Sequence, residues 1–521
     1  MNIPRRLIFI LLAFLSSFFA DAQSFNDKLK EFINTSSFPA LQYPKEVREF
    51  YSLNEYHFSW LAKQNSINLL LLVKYIQTSG ELGLDAEDYQ PELIITYTST
   101  QFSPATENDS LLSEIKFTDA AIHFLHDLML GNKTEALSYD GLKYTPSCYN
   151  IAALLNSYLL LNRFASMPGE LEPKQAEYRS LKSTLNLFQK TLASVGFKDA
   201  YVTASKTVSS NKPLRARLYQ LGFLNSDTVS LNDAATKAKL KEAQKLFSLL
   251  SDGELRGTVI QALNVPLQVR IAALKNSLNT IRWLHCIKQE KHIVIVNIPS
   301  ASLLLYEHDK VVMESRIIVG KRSTPTPTLS STITEVILYP YWNVPYKIAT
   351  QELLPAIKRN PGYINANNYQ VLNSSGKVVD PYKINWKGLS PGYFPYTIRQ
   401  STGCDNALGL IKLNFYNPFS VYLHDTPGKS LFALNKRYFS HGCMRLEKAM
   451  ELGRYILKEN TMALDTLTEK GCLKNQSPIV VPASEKIPVF VLYHTAWIDS
   501  AGIVRFYDDA YNKFAAVKVA H

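Results

Sequence analysis

The residues most able to do chemistry lie in two short segments near the end of the chain. One is Val421-Tyr422-Leu423-His424-Asp425-Thr426-Pro427, and the other is Ser440-His441-Gly442-Cys443-Met444-Arg445. A cysteine thiol is a strong nucleophile once ionised. An imidazole can take the thiol proton and later return it to a leaving amine. Together Cys443 and His424 supply the parts of an acyl transfer that passes through a thioester. Gly442 lets the backbone approach a substrate closely, so N–H groups beside it can form an oxyanion hole. Arg445 can fix a carboxylate by a bidentate contact, or pin the loop. Residue types alone leave two other readings open. Cys443 and His424 can be a buried thiol and an unrelated imidazole, or His424, His441 and Cys443 can be zinc ligands. No HExxH or paired-carboxylate motif supports zinc, and ligation would consume the thiol. The expectation is therefore no metal and no cofactor.

These groups need a scaffold that brings them together. From residue 291 the sequence turns to β-branched, aromatic and aliphatic runs separated by short polar turns. Strands are expected at 292–298, 302–306, 311–319, 410–415 and 420–424, with a hairpin closed by Glu307-His308-Asp309-Lys310. A helix is expected over 447–458, with Ala449, Leu452 and Ile456 inward. Cys443 would then stand just before a helix N-terminus, whose dipole favours a thiolate. The runs 488–493 and 503–507 suggest a terminal β-hairpin around Ser500-Ala501-Gly502. Between the strands, residues 340–398 are too long for a plain connection. They carry a helix over 348–358 and many aromatics: Tyr341, Trp342, Tyr346, Tyr363, Tyr369, Tyr393, Phe394 and Tyr396. They read as an inserted lid over the thiol, with Gly362, Gly376, Gly388 and Gly392 as points of backbone freedom; the alternative is a rigid subdomain with the aromatics in its own core. Upstream, 25–195 and 200–285 are helical in pattern, including 67–77, 117–130, 240–250 and 258–263, with a loop at 96–109. The fold class expected is multidomain α+β: a mainly-β catalytic domain at 291–466, helical blocks before it and an extension at 478–521.

Composition narrows the setting. The chain has 521 residues, 46% hydrophobic and 19% charged, so a few globular domains are expected. Residues 1–22 read as a secretory signal: Arg5 and Arg6, an apolar run from Leu7 to Phe19, then Ala20-Asp21-Ala22. An uncleaved anchor is the alternative, but the run is short for a bilayer. No later segment reads as spanning. The net charge of +11 can suit nucleic acid, yet export argues for an anionic envelope or an acidic substrate instead. The five cysteines form no CxxC pair, and an odd number leaves at least one thiol over.

The literal pattern S-H-G-C-x-R with an upstream histidine resembles the L,D-transpeptidase (YkuD-type) catalytic domain. Over 291–465 the likeness is to the family's large multidomain periplasmic subgroup, through Val319-Gly320-Lys321, Pro340-Tyr341-Trp342-Asn343-Val344-Pro345, Asn406-Ala407-Leu408-Gly409 and Leu423-His424-Asp425-Thr426-Pro427. Gly83-Leu84-Asp85 and Asp127-Leu128-Met129-Leu130-Gly131 resemble its scaffold domain. Gln244, Phe247, Asp252, Gly253, Thr258, Ala262, Leu263 and Asn264 resemble a small three-helix peptidoglycan-binding-like module. The resemblance implies Cys443 as acyl-accepting nucleophile and His424 as base. It sets Gly442, Arg445, Ser440, His441, Tyr422, Asn406 and Trp342 around the substrate, with His441 as wall. It implies peptidoglycan stem peptides as donor and acceptor, release of D-Ala and a 3→3 cross-link. Water as acceptor would give an L,D-carboxypeptidase, and a decayed site would leave a cell-wall-binding protein. One departure is the loop Arg399-Gln400-Ser401-Thr402-Gly403-Cys404, where the subgroup has R-Q-x-P-G.

Overall fold

The computed structural model describes residues 25–35, 41–62, 66–98, 104–205, 207–228, 232–458, 464, 472–474 and 476–514. The segment read as a secretory signal lies outside them. No helix among the described residues is long and apolar enough to cross a membrane. The chain divides into two compact units.

The first unit comprises residues 1–135, 145–197 and 270–286. Its axis is the 24-residue helix Glu107–Leu130, buried along most of its C-terminal half. The helix starts earlier than the 117–130 pattern predicts, because Thr106 and Asp109 form a capping box that satisfies its first N–H groups. Its opening turns are largely exposed, which is why apolar periodicity did not reveal them. Packed on it are Phe50, Tyr51, Trp60, Leu72, Leu155 and Phe164. Glu114 is buried among them and accepts from the backbone N–H groups of Trp60 and Leu61 at 3.1 and 2.9 Å. A buried carboxylate must be paired this way or shed its charge. Burial still pushes it up to about 7. A disulfide joins Cys148 to Cys286 within this unit.

The second unit comprises residues 136–144, 198–269 and 287–521. It carries the helices Lys212–Gln220, Asp233–Leu246 and Gly257–Leu263; of the motif residues noted above, Gln244, Thr258, Ala262 and Leu263 lie in the last two, and Phe247, Asp252, Gly253 and Asn264 lie at or between their ends. Gln244 donates to Asp252 at 3.0 Å and accepts from Gly253 N–H at 2.7 Å, and Asn264 bonds both backbone groups of Val202. These side chains close turns.

The rest of this unit is built on a ten-stranded sheet. Its main strands are β1 (Ile293–Asn297), β2 (Ser302–Glu307), β3 (Lys310–Gly320), β4 (Leu329–Leu338), β5 (Ile411–Phe415), β6 (Leu423–His424), β7 (Met444–Leu446) and β8 (Ile479–Leu492). Pairing runs β4-β5-β6-β7-β3-β2-β1-β8, and β8 pairs again with β4, so these strands close into a ring. Closure removes the exposed edges that an open sheet presents. The hairpin between β2 and β3 turns through His308 and Asp309, both at positive φ. Alternate residues of every strand fill the interior, among them Val294, Leu305, Val319, Ile333, Leu413, Leu423, Met444 and Val491. Ala449, Leu452, Ile456 and Leu457 of the helix Ala449–Leu457 join that core. The terminal hairpin differs from expectation. Residues 488–492 pair in register with β1 and β4, and the hairpin is Ala496–Ile498 with Val504–Phe506. Fully buried runs satisfy two neighbours at long range, which local pattern cannot assign.

The insert has its own four-stranded sheet: Trp342–Asn343, Thr397–Gln400, Tyr369–Leu372 and Val378–Val379, in that order. Val344, Leu354, Ile357, Val371, Trp386, Phe394 and Ile398 form a separate core. Trp342, Tyr363, Tyr369 and Tyr396 pack against it, so most of the aromatics named in the insert support the insert itself. Tyr346 and Tyr393 are exposed.

Candidate active site

Strand register sets the site. Leu413, Leu423 and Met444 lie opposite one another on β5, β6 and β7, and all three are buried in the core. Side chains alternate faces along a strand, so the next row points away from that core. That row is Lys412, His424 and Arg445, paired in register. Tyr422 lies on the same face as His424, and Cys443 on the same face as Arg445. The Tyr422 ring sits 5.6 Å from the His424 ring, and the Lys412 Nζ stands over the Tyr422 ring at 4.1 Å. Cys443 Sγ lies 3.9 Å from the Ser420 carbonyl, and Tyr422 beside it acts to lower the thiol. Short strands thus gather thiol, imidazole, phenol and two cations on one surface.

The turn that presents Cys443 is braced from several sides. Gly442 has φ +117°, a conformation L side chains rarely adopt. Its N–H donates to Ser440 Oγ at 3.1 Å, and Ser440 Oγ donates to the Cys443 carbonyl at 2.5 Å. Thr326 Oγ1 donates to the Gly442 carbonyl at 2.8 Å and accepts from Gly320 N–H at 2.9 Å. Met444 N–H donates to the Tyr422 carbonyl at 3.0 Å, tying the turn to β6. The Gly442 N–H is thus occupied by Ser440. On the other side of β6, Gly409 packs so closely on the Asp425 carboxylate that a Cβ there would collide with it. Asp425 also accepts from Leu410 N–H at 3.0 Å and pairs with Lys429 Nζ at 2.6 Å.

His424 is buried, and its Nδ1 lies 2.6 Å from the Asp425 carbonyl. A carbonyl only accepts, so Nδ1 carries the proton and Nε2 keeps the lone pair, the tautomer a general base requires. Burial, with Arg445 next and Lys412 contributing less, pushes the imidazole down to about 3. Burial also pushes the Cys443 thiol up, while Tyr422, Lys412 and Arg445 act to lower it. The resting pair is accordingly neutral thiol and neutral imidazole. Burial lowers Lys412, with Cys443 and Glu335 opposing, and burial lowers Arg445. Among the described residues no carboxylate comes within ion-pair distance of Lys412 or Arg445.

Two sequence expectations change here. Cys443 is followed by strand β7, and the helix begins only at Ala449, so no helix dipole acts on the thiol. Met-Arg-Leu alternates as a strand does, and Arg445 on β7 and Lys412 on β5 lower the thiol instead. Trp342 pairs opposite Gln400 and packs in the insert's core rather than in the Cys443 row. Asn406 is fully buried and braces the insert's base, donating to the carbonyls of Pro340 at 3.1 Å and Ser401 at 2.8 Å. His441 touches the insert at Glu352, 2.8 Å from its Nε2, and Lys321 Nζ lies 3.4 Å from the same nitrogen. Lys412 and Thr326 were missed. The alternation Ile411-Lys412-Leu413 marks Lys412 as facing away from the core, but only cross-strand register reveals what shares that face.

Comparison with known proteins follows the same division. Residues 291–469 match the YkuD family, described as the L,D-transpeptidase catalytic domain, and residues 45–185 match a scaffold domain family. A Haemophilus influenzae protein named "Putative L,D-transpeptidase" is 40% identical over 216 residues, covering 41% of this chain and 43% of that protein. The alignment thus spans less than half of that relative. Among solved structures, an L,D-transpeptidase from Mycobacterium smegmatis aligns at 13% identity and TM-score 0.18, over 39% of this chain and 58% of its own. The structure titled the Ldtfm-avibactam carbamoyl enzyme aligns at 13% identity and TM-score 0.18, over 60% of this chain and 98% of its own.

Proposed function

Given an L,D-transpeptidase catalytic domain over residues 291–469 and a scaffold domain over 45–185, we propose that this chain is an exported cysteine L,D-transpeptidase that forms 3→3 cross-links in peptidoglycan. The observation that carries the reading is the shared face of β5, β6 and β7, on which Cys443, Tyr422, His424, Lys412 and Arg445 meet. The two cations have no carboxylate partner among the described residues, which suits the terminal carboxylate of a donor tetrapeptide. Anchored there, the donor offers the carbonyl of its third residue to Cys443.

His424 Nε2 takes the thiol proton as sulfur attacks the carbonyl carbon. The Cys443 N–H, beside the occupied Gly442 N–H, is assigned as a backbone donor to the developing oxyanion. Collapse of the tetrahedral intermediate breaks the amide. His424 returns its proton to the amine, and D-Ala leaves from a Cys443 thioester. An acceptor amine on a neighbouring stem then attacks the thioester while His424 takes its proton, and the thiol is regenerated with the new amide bond. A low imidazole basicity fits a base that accepts the proton only as the bond forms and gives it up readily. The insert, which touches the catalytic loop through Glu352 and His441, is read as a lid that limits entry of water to the thioester. The Cys148–Cys286 disulfide supports an oxidising compartment, hence the periplasm or cell envelope.

The test is mass spectrometry of products from purified stem tetrapeptides with and without an added acceptor stem. Cross-linked dimer plus free D-Ala is expected. Tripeptide alone, in equal amount with and without acceptor, would make the protein a carboxypeptidase. No product at all, with the chain still bound to sacculi, would leave a wall-binding protein.

A further inference from the structure

Apart from the Cys148–Cys286 bond, the structure holds Cys404, Cys443 and Cys472 as thiols. Two of these are neighbours: Cys404 stands beside Cys472 and raises its thiol. Contacts that do not involve sulfur hold their segments side by side. Gln476 N–H donates to Thr402 Oγ1 at 2.9 Å, and Thr402 Oγ1 lies 3.4 Å from the Leu473 carbonyl. Lys474 Nζ lies 3.9 Å from the Asp405 carboxylate. Both sulfurs belong to exposed residues, within reach of a soluble oxidant. Cys443, by contrast, is partly buried against Tyr422. We propose that Cys404 and Cys472 form a second disulfide in the exported protein, so that Cys443 is left as its only thiol.

The step balances as thiol–disulfide exchange. The Cys404 and Cys472 thiols lose two protons and two electrons as their S–S bond forms. The electrons reduce the disulfide of an exported dithiol oxidase to two thiols through a mixed-disulfide intermediate. The compartment is one in which Cys148–Cys286 already stands oxidised. The consequence is local. The Cys404 loop leaves the insert's strand Thr397–Gln400 and leads to Asn406, which bonds Pro340 where the insert begins. The Cys472 segment leads into β8. The bond fastens the base of the insert to the sheet, and the chain it closes contains both His424 and Cys443. It also removes the two exposed thiols that could exchange with a thioester at Cys443.

The experiment is peptide mapping of the protein purified from its envelope fraction, denatured without reductant and alkylated with iodoacetamide, on a preparation in which Cys148–Cys286 is found bonded. The expected result is alkylation at Cys443 alone and a linked Cys404–Cys472 peptide. Alkylation of both Cys404 and Cys472, or either one linked to another cysteine, overturns the proposal. In the Cys404→Ser variant, Cys472 should become alkylatable, giving two modified cysteines where the parent shows one. Cys472 remaining unmodified there would mean a different partner, and would also overturn it.

Discussion

Replacing Lys412 with Met should slow the ionisation-dependent reactions of Cys443 without disturbing the core. Lys412 sits on the outward row of β5, and its Nζ lies 4.1 Å from the Tyr422 ring centroid. Tyr422 in turn acts on the Cys443 thiol and lowers it. One ring and one contact therefore separate ammonium from thiolate, roughly 6–7 Å at ordinary contact lengths. At an effective dielectric of about 20, unit charges at that spacing attract by about 2.5 kcal/mol. Lys412 is only partly buried, and solvent screening reduces this by about half, to the equivalent of about tenfold in the thiolate population. Removing a cation disfavours the anion, so the midpoint of the pH–rate curve must move upward. The assay is the rate of iodoacetamide modification followed on the Cys443 peptide from pH 6 to 10. Lys412→Met should react about tenfold more slowly at neutral pH, with the midpoint displaced upward, and Lys412→Arg should restore most of the rate. An unchanged curve for Lys412→Met, or one displaced downward, would refute the electrostatic coupling.

Further predictions rest on the same site. His424→Ala should slow acylation of Cys443 by roughly 10²–10⁴-fold, whereas His441→Ala, whose ring meets Glu352, should cost much less; stopped-flow acylation rates showing the reverse would exchange their roles. His424 titrates at about 3 in the folded chain, below its ordinary 6.5. The unfolded chain therefore binds that proton first as pH falls, and stability declines between about 6.5 and about 3, by up to roughly 4–5 kcal/mol. Urea titrations at pH 7 and pH 4 should show a smaller decline in His424→Gln than in the parent, and equal declines would remove His424 from the account. A carbapenem, as a strained acyl donor, should add to Cys443 and to no other cysteine, and peptide mapping that finds the adduct on Cys404 alone would contradict the assignment of the nucleophile.

Much of this was legible in the sequence for a simple reason: strands and amphipathic helices write their core-facing positions into local pattern. The strands around Ile293, Ser302 and Ile411 and the helix with Ala449, Leu452 and Ile456 inward are of that kind. The segments that carry His424 and Cys443 stood out as well, because the motif around them is local, and the structure pairs the strands β6 and β7 there. What was not legible depends on pairing at a distance. The return of 488–492 to close the ring, the Cys148–Cys286 bond and the row Lys412–His424–Arg445 are all set by register between remote segments. The helix after Cys443 is present, but it does not abut the thiol, because three residues of strand, Met444–Leu446, fit between them and are too short to stand out. The aromatics of the insert misled because a small subdomain needs them for its own core, and composition does not distinguish a lining from a filling.

The central claim is that Cys443 carries the acyl group between donor and acceptor. Intact-mass measurement of the protein quenched in acid during turnover of a stem tetrapeptide tests it directly. A mass gain equal to the tripeptide acyl group, mapped to Cys443, lost on addition of an acceptor amine and missing in Cys443→Ala, is the predicted result. Product formed at the parent rate by Cys443→Ala, or an acyl group mapped to any other residue, would contradict it.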